Sequence, residues 1–347
     1  MPGKLSSPAE WSSVLEPASP TVFRGRGDPD DPRLGEVVGR WEGGPWQPRP
    51  GQPVLVGFPC DLGVRRNHGR PGAALAPDDI RQDFYRFTAW DAPAGVDLAE
   101  LGVIDLGNVR IGSELEAAQH RLAGLVAELL RSGAVPVVLG GGHEAAFGHY
   151  LGYVAAGLDC GIINVDAHLD VRPVTRGPHS GTPFRQALEH PDHRLGPRRY
   201  VVIGPQRQSV ARTHAQLVEK HHGRIHWLDV LAVAGGAVQV FAGELDQLGR
   251  ECDAILLTVD ADAFRQADVP GTSAPAPVGL EGTDWPAIAL RAGAEPRVRS
   301  LEIVEVNPRF DRDHQTARWA ALGVRQFLVG LARRQGRQQN ATAEPRP

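Results

Sequence analysis

The sequence predicts an α/β fold, a three-layer α/β/α arrangement around a mainly parallel sheet. Three observations carry that expectation. Short β-rich apolar runs recur along the chain, helical patterns fill the gaps between them, and the runs are apolar from end to end. Strands buried on both faces read this way, because helices cover both sides of a parallel sheet.

The elements follow in order. Residues 1–50 are rich in Pro, Gly, Ser and Asp, and read as a partly irregular arm anchored by Trp11, Trp41 and Trp46. Eight strands are expected at 53–58, 102–106, 135–139, 161–165, 200–203, 225–228, 254–259 and 300–306. Ser113 and Glu116 have capping-box spacing ahead of Leu122, Leu125, Val126, Leu129 and Leu130, and Gly133 closes that helix. A second helix is expected over 145–154. A third spans 313–331, with Ala317, Ala320, Ala321, Val324, Phe327 and Leu328 on its apolar face. Residues 335–347, rich in Gln, Ala and Pro, read as a disordered tail. That leaves 51–334 as a single domain.

Composition narrows the partners. The formal charge of −4 and the lack of basic clusters argue against nucleic acid and membrane. No run approaches the roughly 20 apolar residues of a membrane span, and the first residues carry no apolar signal region. Cys60, Cys160 and Cys252 are far apart and without CxxC spacing, as expected of small buried hydrophobes in a reducing compartment. The expectation is a cytoplasmic protein acting on a small molecule.

Chemistry concentrates at three strand ends, where ligands sit in sheets of this kind. Asp166-Ala167-His168-Leu169-Asp170 follows one apolar run and Asp260-Ala261-Asp262 follows another. Side chains at i, i+2 and i+4 share a face of an extended chain, so these groups can converge. Unpaired buried carboxylates are costly, and a metal centre resolves that cost. Gly140-Gly141-Gly142-His143-Glu144 follows a third run, with His143 at a helix start that disfavours the imidazolium. Either acidic motif alone is weak, since acidic residues often decorate loops after strands; the three together are specific.

The candidate ligands are His143, Asp166, His168, Asp170, Asp260 and Asp262. This oxygen-rich set without thiolate favours Mn²⁺, with Zn²⁺, Co²⁺, Ni²⁺ or Fe²⁺ able to replace it in vitro. Six ligands exceed the need of one catalytic ion; two ions about 3.5–4 Å apart use them well and activate water for attack on an electrophilic carbon. The remaining histidines carry less weight. His190, His193, His214, His221 and His222 lie in polar surroundings and read as solvated, and His149 reads as structural. The glycine run is not a phosphate loop, because no GK[ST] follows.

On these residues the chain resembles the ureohydrolases: arginase, agmatinase, guanidinobutyrase and formimidoylglutamase. Their GGxH, DAHxD and DxD motifs are matched by Gly141-Gly142-His143, Asp166 to Asp170 and Asp260 to Asp262. Residues 63–73 and Glu305-Val306-Asn307-Pro308 are also similar, and the likeness runs from about residue 53 to residue 331. It implies a binuclear manganese hydrolase on an eight-stranded arginase-like sheet, generally a homo-oligomer (trimer or hexamer). It also implies a first ion on His143, Asp166, Asp170 and Asp260. A second would lie on His168, Asp166, Asp260 and Asp262, with Asp166 and Asp260 bridging. Asp170 would pass a proton to the leaving amine, and Glu305 would pair with the substrate's guanidinium or amidinium.

Two features resemble the formimidoylglutamase branch. Arg172 lies two residues beyond Asp170, where arginases carry a neutral residue. A guanidinium there suits a bidentate carboxylate and is unhelpful for agmatine. The stretch Ser180-Gly181-Thr182-Pro183-Phe184-Arg185-Gln186 and residues 270–277 also look like that branch. Ser180 stands where arginases and agmatinases place a proton-shuttling His, with His179 one residue early. Arg185 is expected as a second carboxylate contact and Asn67 as part of the pocket wall. The implied reaction is N-formimidoyl-L-glutamate plus water giving L-glutamate and formamide, a step of histidine degradation. The alternatives are a ureohydrolase for arginine, agmatine or a guanidino acid, and a metal-binding pseudoenzyme. A single-zinc deacetylase shares the general fold but does not need all six ligands.

Overall fold

The computed structural model describes residues 8–44, 46–193 and 195–343. All eight expected strands are present: β1 (Pro53–Phe58), β2 (Ile104–Val109), β3 (Val135–Gly140), β4 (Cys160–Val165), β5 (Tyr200–Ile203), β6 (Arg224–His226), β7 (Ala254–Asp260) and β8 (Val298–Val304). They pair in parallel in the order β2-β1-β3-β8-β7-β4-β5-β6. The arm adds two further strands to give ten. Leu15–Glu16 pairs antiparallel and Gly39–Arg40 parallel with β2.

Several strand limits differ from the expected ones by one to three residues, three of them for evident local reasons. β2 starts late because Gly102, at φ 62°, ends a 3₁₀ turn over Leu98–Leu101. β8 stops at Val304 because Glu305 turns to φ 61°. β6 ends before Trp227, which caps the short helix Leu228–Leu231.

Alternate residues of the strands face opposite layers, as period two demands. Val54, Val56, Ala254 and Leu256 pack with the helices Leu115–Arg131 and Ala145–Ala156. Leu55, Ile255, Leu257 and Val259 pack on the other side with the helices Ala76–Phe84, Ala237–Glu251, Asp284–Ala294 and Gln315–Ala343. Trp11 and Trp41 are buried in the first layer, and Trp46 packs edge-on against Trp11 at 5.9 Å.

Two local expectations fail. The helix Leu115–Arg131 is capped by Glu114 rather than Ser113, and no side chain caps it. Glu116 is drawn away by an ion pair with Arg66, 3.0 Å long. The expected tail at 335–347 is helical as far as Ala343, because the last helix continues through Gln-, Arg- and Ala-rich sequence with no proline until Pro345; residues 344–347 lie outside those described. No helix of the described residues is long and apolar enough to cross a membrane.

Candidate metal centre

Four neighbouring strands in the middle of the sheet, β3, β8, β7 and β4, deliver the polar groups from their carboxyl ends. His143 follows β3, Glu305 follows β8, Asp260 ends β7, and Asp166, His168 and Asp170 follow β4. The glycine run before His143 is required by proximity. A Cβ on Gly141 would overlap the Cys60 carbonyl, and one on Gly142 the Glu144 carboxylate. Glu144 is buried, accepts the Gly63 N–H at 2.7 Å, and so ties the helix Leu62–Arg66 against the turn.

The six expected ligands converge. His143, Asp166, Asp170 and Asp260 form one group, and Asp166, His168 and Asp262 another, each with ligand atoms within 4.8 Å of one another. His143 Nδ1 lies 3.4, 3.0 and 3.2 Å from oxygens of Asp166, Asp170 and Asp260, yet hydrogen-bonds to none of them. Its Nε2 lies 3.0 Å from Thr258 Oγ1. With Nε2 as the donor in that contact, Nδ1 is the nitrogen that can present a lone pair to a metal ion in the cluster. His168 Nδ1 is 3.4 Å from both Asp166 and Asp262. Asp166 belongs to both groups. Asp260 belongs to the first, and its Oδ1 accepts the Asp262 N–H at 2.8 Å. Asn164 Nδ2 donates to Asp166 Oδ2 at 3.0 Å, and Phe184 meets the His143 ring edge-on at 5.1 Å.

Electrostatics describe a cluster that demands cations. Burial, then Asp262 and Asp166, push Asp260 well above the ordinary carboxylate range. Burial and then Asp166 raise Asp170. Burial opposes charge on His143 and His168, but their carboxylate neighbours outweigh it and raise both. Asp166, also opposed by burial, is held low by the two histidines. Among the described residues His143 Nδ1 and Asp262 Oδ1 have no hydrogen-bond partner, and both are ligand types suited to Mn²⁺. The donor set fits two such ions.

Above the cluster lies a cavity of about 300 Å³ lined by Asp170, Asp260, Asp262, His168 and Glu305 below and by loop residues above. Glu305 Oε1 accepts the His143 N–H at 2.9 Å, while Oε2 has no hydrogen-bond partner among the described residues. Burial, then Asp260 and Glu144, raise its carboxyl well above the ordinary range. On the rim, Arg172 Nη1 donates to Asn67 Oδ1 at 3.1 Å and Asn67 Nδ2 donates to Ser180 Oγ at 3.0 Å. All three line the cavity.

Arg185 does not join them. Its Nε donates to Glu189 one helical turn on, at 2.8 Å, and it lies outside the cavity lining. His179 is also outside that lining, its Nδ1 accepting the Gly181 N–H at 3.1 Å. His149 is structural, buried against Glu302 at 2.9 Å. Reasoning from sequence missed His68, Arg70 and Ser273 in the wall. The signal was present, since residues 63–73 and 270–277 both read as family-like, but no charge pattern assigned these side chains a task.

The arginase family model matches residues 52–330. A formimidoylglutamase of Geobacillus thermodenitrificans is 37% identical over 297 residues, 85% of this chain and 89% of its own. Formiminoglutamase of Trypanosoma cruzi, solved with Mn²⁺₂, is 33% identical with a TM-score of 0.78, covering 87% of this chain and 99% of that one. The formimidoylglutamase structure from Bacillus subtilis superposes with a TM-score of 0.81 at 26% identity, covering 89% of this chain and 96% of that one.

Proposed function

The chain belongs to the arginase family, and from that premise we propose that it is a binuclear manganese hydrolase converting N-formimidoyl-L-glutamate and water to L-glutamate and formamide. The reaction is a step of histidine degradation. One observation carries the choice of substrate. The Arg172 guanidinium stands on the cavity rim and, among the described residues, hydrogen-bonds only the neutral side-chain oxygen of Asn67, a cation prepared for a carboxylate. The names of the similar proteins agree with it.

His143, Asp166, Asp170 and Asp260 would hold one Mn²⁺, and His168, Asp166 and Asp262, with Asp260, would hold the other. When bound, the ions supply Lewis acidity and lower the pKa of water. Glu305 Oε2 receives the amidinium N–H groups and fixes the electrophilic carbon above the cluster. Asp170, which lines the cavity, accepts the proton released by the attacking water and delivers it to the departing α-amine. Arg172 and the Ser180 hydroxyl, held in line by Asn67, take a substrate carboxylate. The same proposal includes a single catalytic domain over 51–334 and a cytoplasmic homo-oligomer (trimer or hexamer), whose mass light scattering would give.

A panel of Mn²⁺-loaded assays tests the reading. Turnover of N-formimidoyl-L-glutamate should exceed that of arginine, agmatine and 4-guanidinobutyrate. Preference for any of these three would move the chain to another branch.

A further inference from the structure

We infer that Arg70 is a specificity-determining residue that binds one of the two carboxylates of a dicarboxylate substrate, with Arg172 binding the other. The inference rests on the proposed function and extends it. Two guanidiniums line the cavity, Arg172 and Arg70, and they come from different loops. Neither is neutralised among the described residues, since their hydrogen bonds go to uncharged oxygens. Arg172 donates to the Asn67 side chain. Arg70 Nε donates to the Ser273 carbonyl at 2.9 Å and Nη2 to the Thr272 carbonyl.

Arg70 is also held in place before any ligand arrives. Its N–H donates to Ser273 Oγ at 2.9 Å, its carbonyl accepts from Asn307 Nδ2 at 3.0 Å, and its guanidinium lies 4.0 Å above the Phe310 ring. Such a group loses little freedom on binding an anion, and its Nη1 makes none of these contacts. Charge balance points the same way. Two divalent cations would balance the four ligand aspartates. One carboxylate, Glu305, and two guanidiniums would then remain in the lining, beside the imidazole of His68. A substrate with one amidinium and two carboxylates matches that count, and Arg185, paired with Glu189, does not supply the second cation.

The test compares Mn²⁺-loaded wild type, Arg70→Met and Arg172→Met on three amidines. These are N-formimidoyl-L-glutamate, N-formimidoyl-L-glutamine, which lacks the side-chain carboxylate, and N-formimidoyl-4-aminobutyrate, which lacks the α-carboxylate. Wild type should discriminate against each truncated substrate by about ten- to a hundredfold in kcat/KM, the worth of a charge-assisted hydrogen-bonded pair. Arg70→Met should lose discrimination against one truncated substrate and Arg172→Met against the other. A uniform loss on all three substrates in Arg70→Met would mean that Arg70 only staples the Thr272–Ser273 loop, and the inference would fall. If Arg70→Met does not fold, Arg70→Lys decides: it keeps the charge without the fork, so a partial loss of the same discrimination supports the inference and a uniform loss overturns it. Calorimetric binding of glutarate separates the two readings. Glutarate bound by wild type and weakened by Arg70→Met, without turnover of any formimidoyl substrate, would retain Arg70 as a carboxylate site while rejecting the proposed reaction. Binding unchanged by Arg70→Met would reject Arg70.

Discussion

The floor and the rim of the cavity are built differently. The floor, Asp170, Asp260, Asp262, His168 and Glu305, with His143 and Asp166 beneath it, is set at the ends of four neighbouring parallel strands, and all of these but His168 and Asp170 are buried. The rim consists of Asn67, Arg70, Arg172 and Ser180, carried by loops and, for Arg172, exposed to solvent. A strand end sets the direction of a side chain through the pleat, and burial penalises any substitution that leaves a charge unmatched. A rim residue is held instead by contacts between loops, as Arg70 is by Thr272 and Ser273. On the proposed reading the floor fixes the reaction type, and the rim chooses among substrates that share it.

Breaking the floor should have the largest effect. Asp260→Asn removes a carboxylate facing His143 Nδ1 at 3.2 Å. It should lower kcat/KM by roughly a thousandfold or more and reduce bound manganese below two ions per chain by elemental analysis. Glu305→Gln comes next. It should keep two ions yet lower kcat/KM by about a hundredfold, because it removes the charge that meets the amidinium rather than a ligand. Loss of metal in that variant would place Glu305 in the ligand set instead.

Removing the ions sharpens the contrast through pH. Burial raises Asp170, Asp260 and Glu305, and carboxylate neighbours raise His143 and His168 against the effect of burial. Asp166 alone moves down. The folded metal-free protein thus binds more protons than the unfolded chain once pH exceeds the ordinary carboxylate value of about 4. Its stability falls as pH rises from there toward the raised values, and Mn²⁺ binding, which displaces those protons, tightens over the same interval. Metal-free protein should melt at a lower temperature at pH 8 than at pH 6, with Mn²⁺ affinity higher at pH 8. The reverse order would show that the cluster is not charged as described. The smallest effect belongs to Arg185→Ala. A solvent-side pair with Glu189 is worth little, so stability should change by less than about 0.5 kcal/mol and KM not at all.

The same division explains what the sequence revealed. All eight strands, and the convergence of the six candidate ligands, were legible, because apolar runs followed closely by Asp or His report both pleat and burial. Arg172 was legible through its distance of two residues from Asp170. Arg185 was misplaced because a helix over Pro183–Leu188 directs it along the helix to Glu189. Arg70 and His68 went unassigned because the Ser273 and Phe310 contacts that orient Arg70 are more than 200 residues away in the chain, as in the 203-residue separation from Ser273. Ser113 failed as a cap for a similar reason, since Arg66, distant in sequence, engages Glu116. Local patterns encode elements; partners brought together by the sheet order are invisible to them.

The most direct test of the account is proton NMR of the Mn²⁺-loaded protein with N-formimidoyl-L-glutamate, run beside Asp260→Asn. Formamide and L-glutamate should grow in at equal rates in the first sample and be absent from the second. An unchanged substrate spectrum in the loaded wild type, or equal product formation in Asp260→Asn, would contradict it.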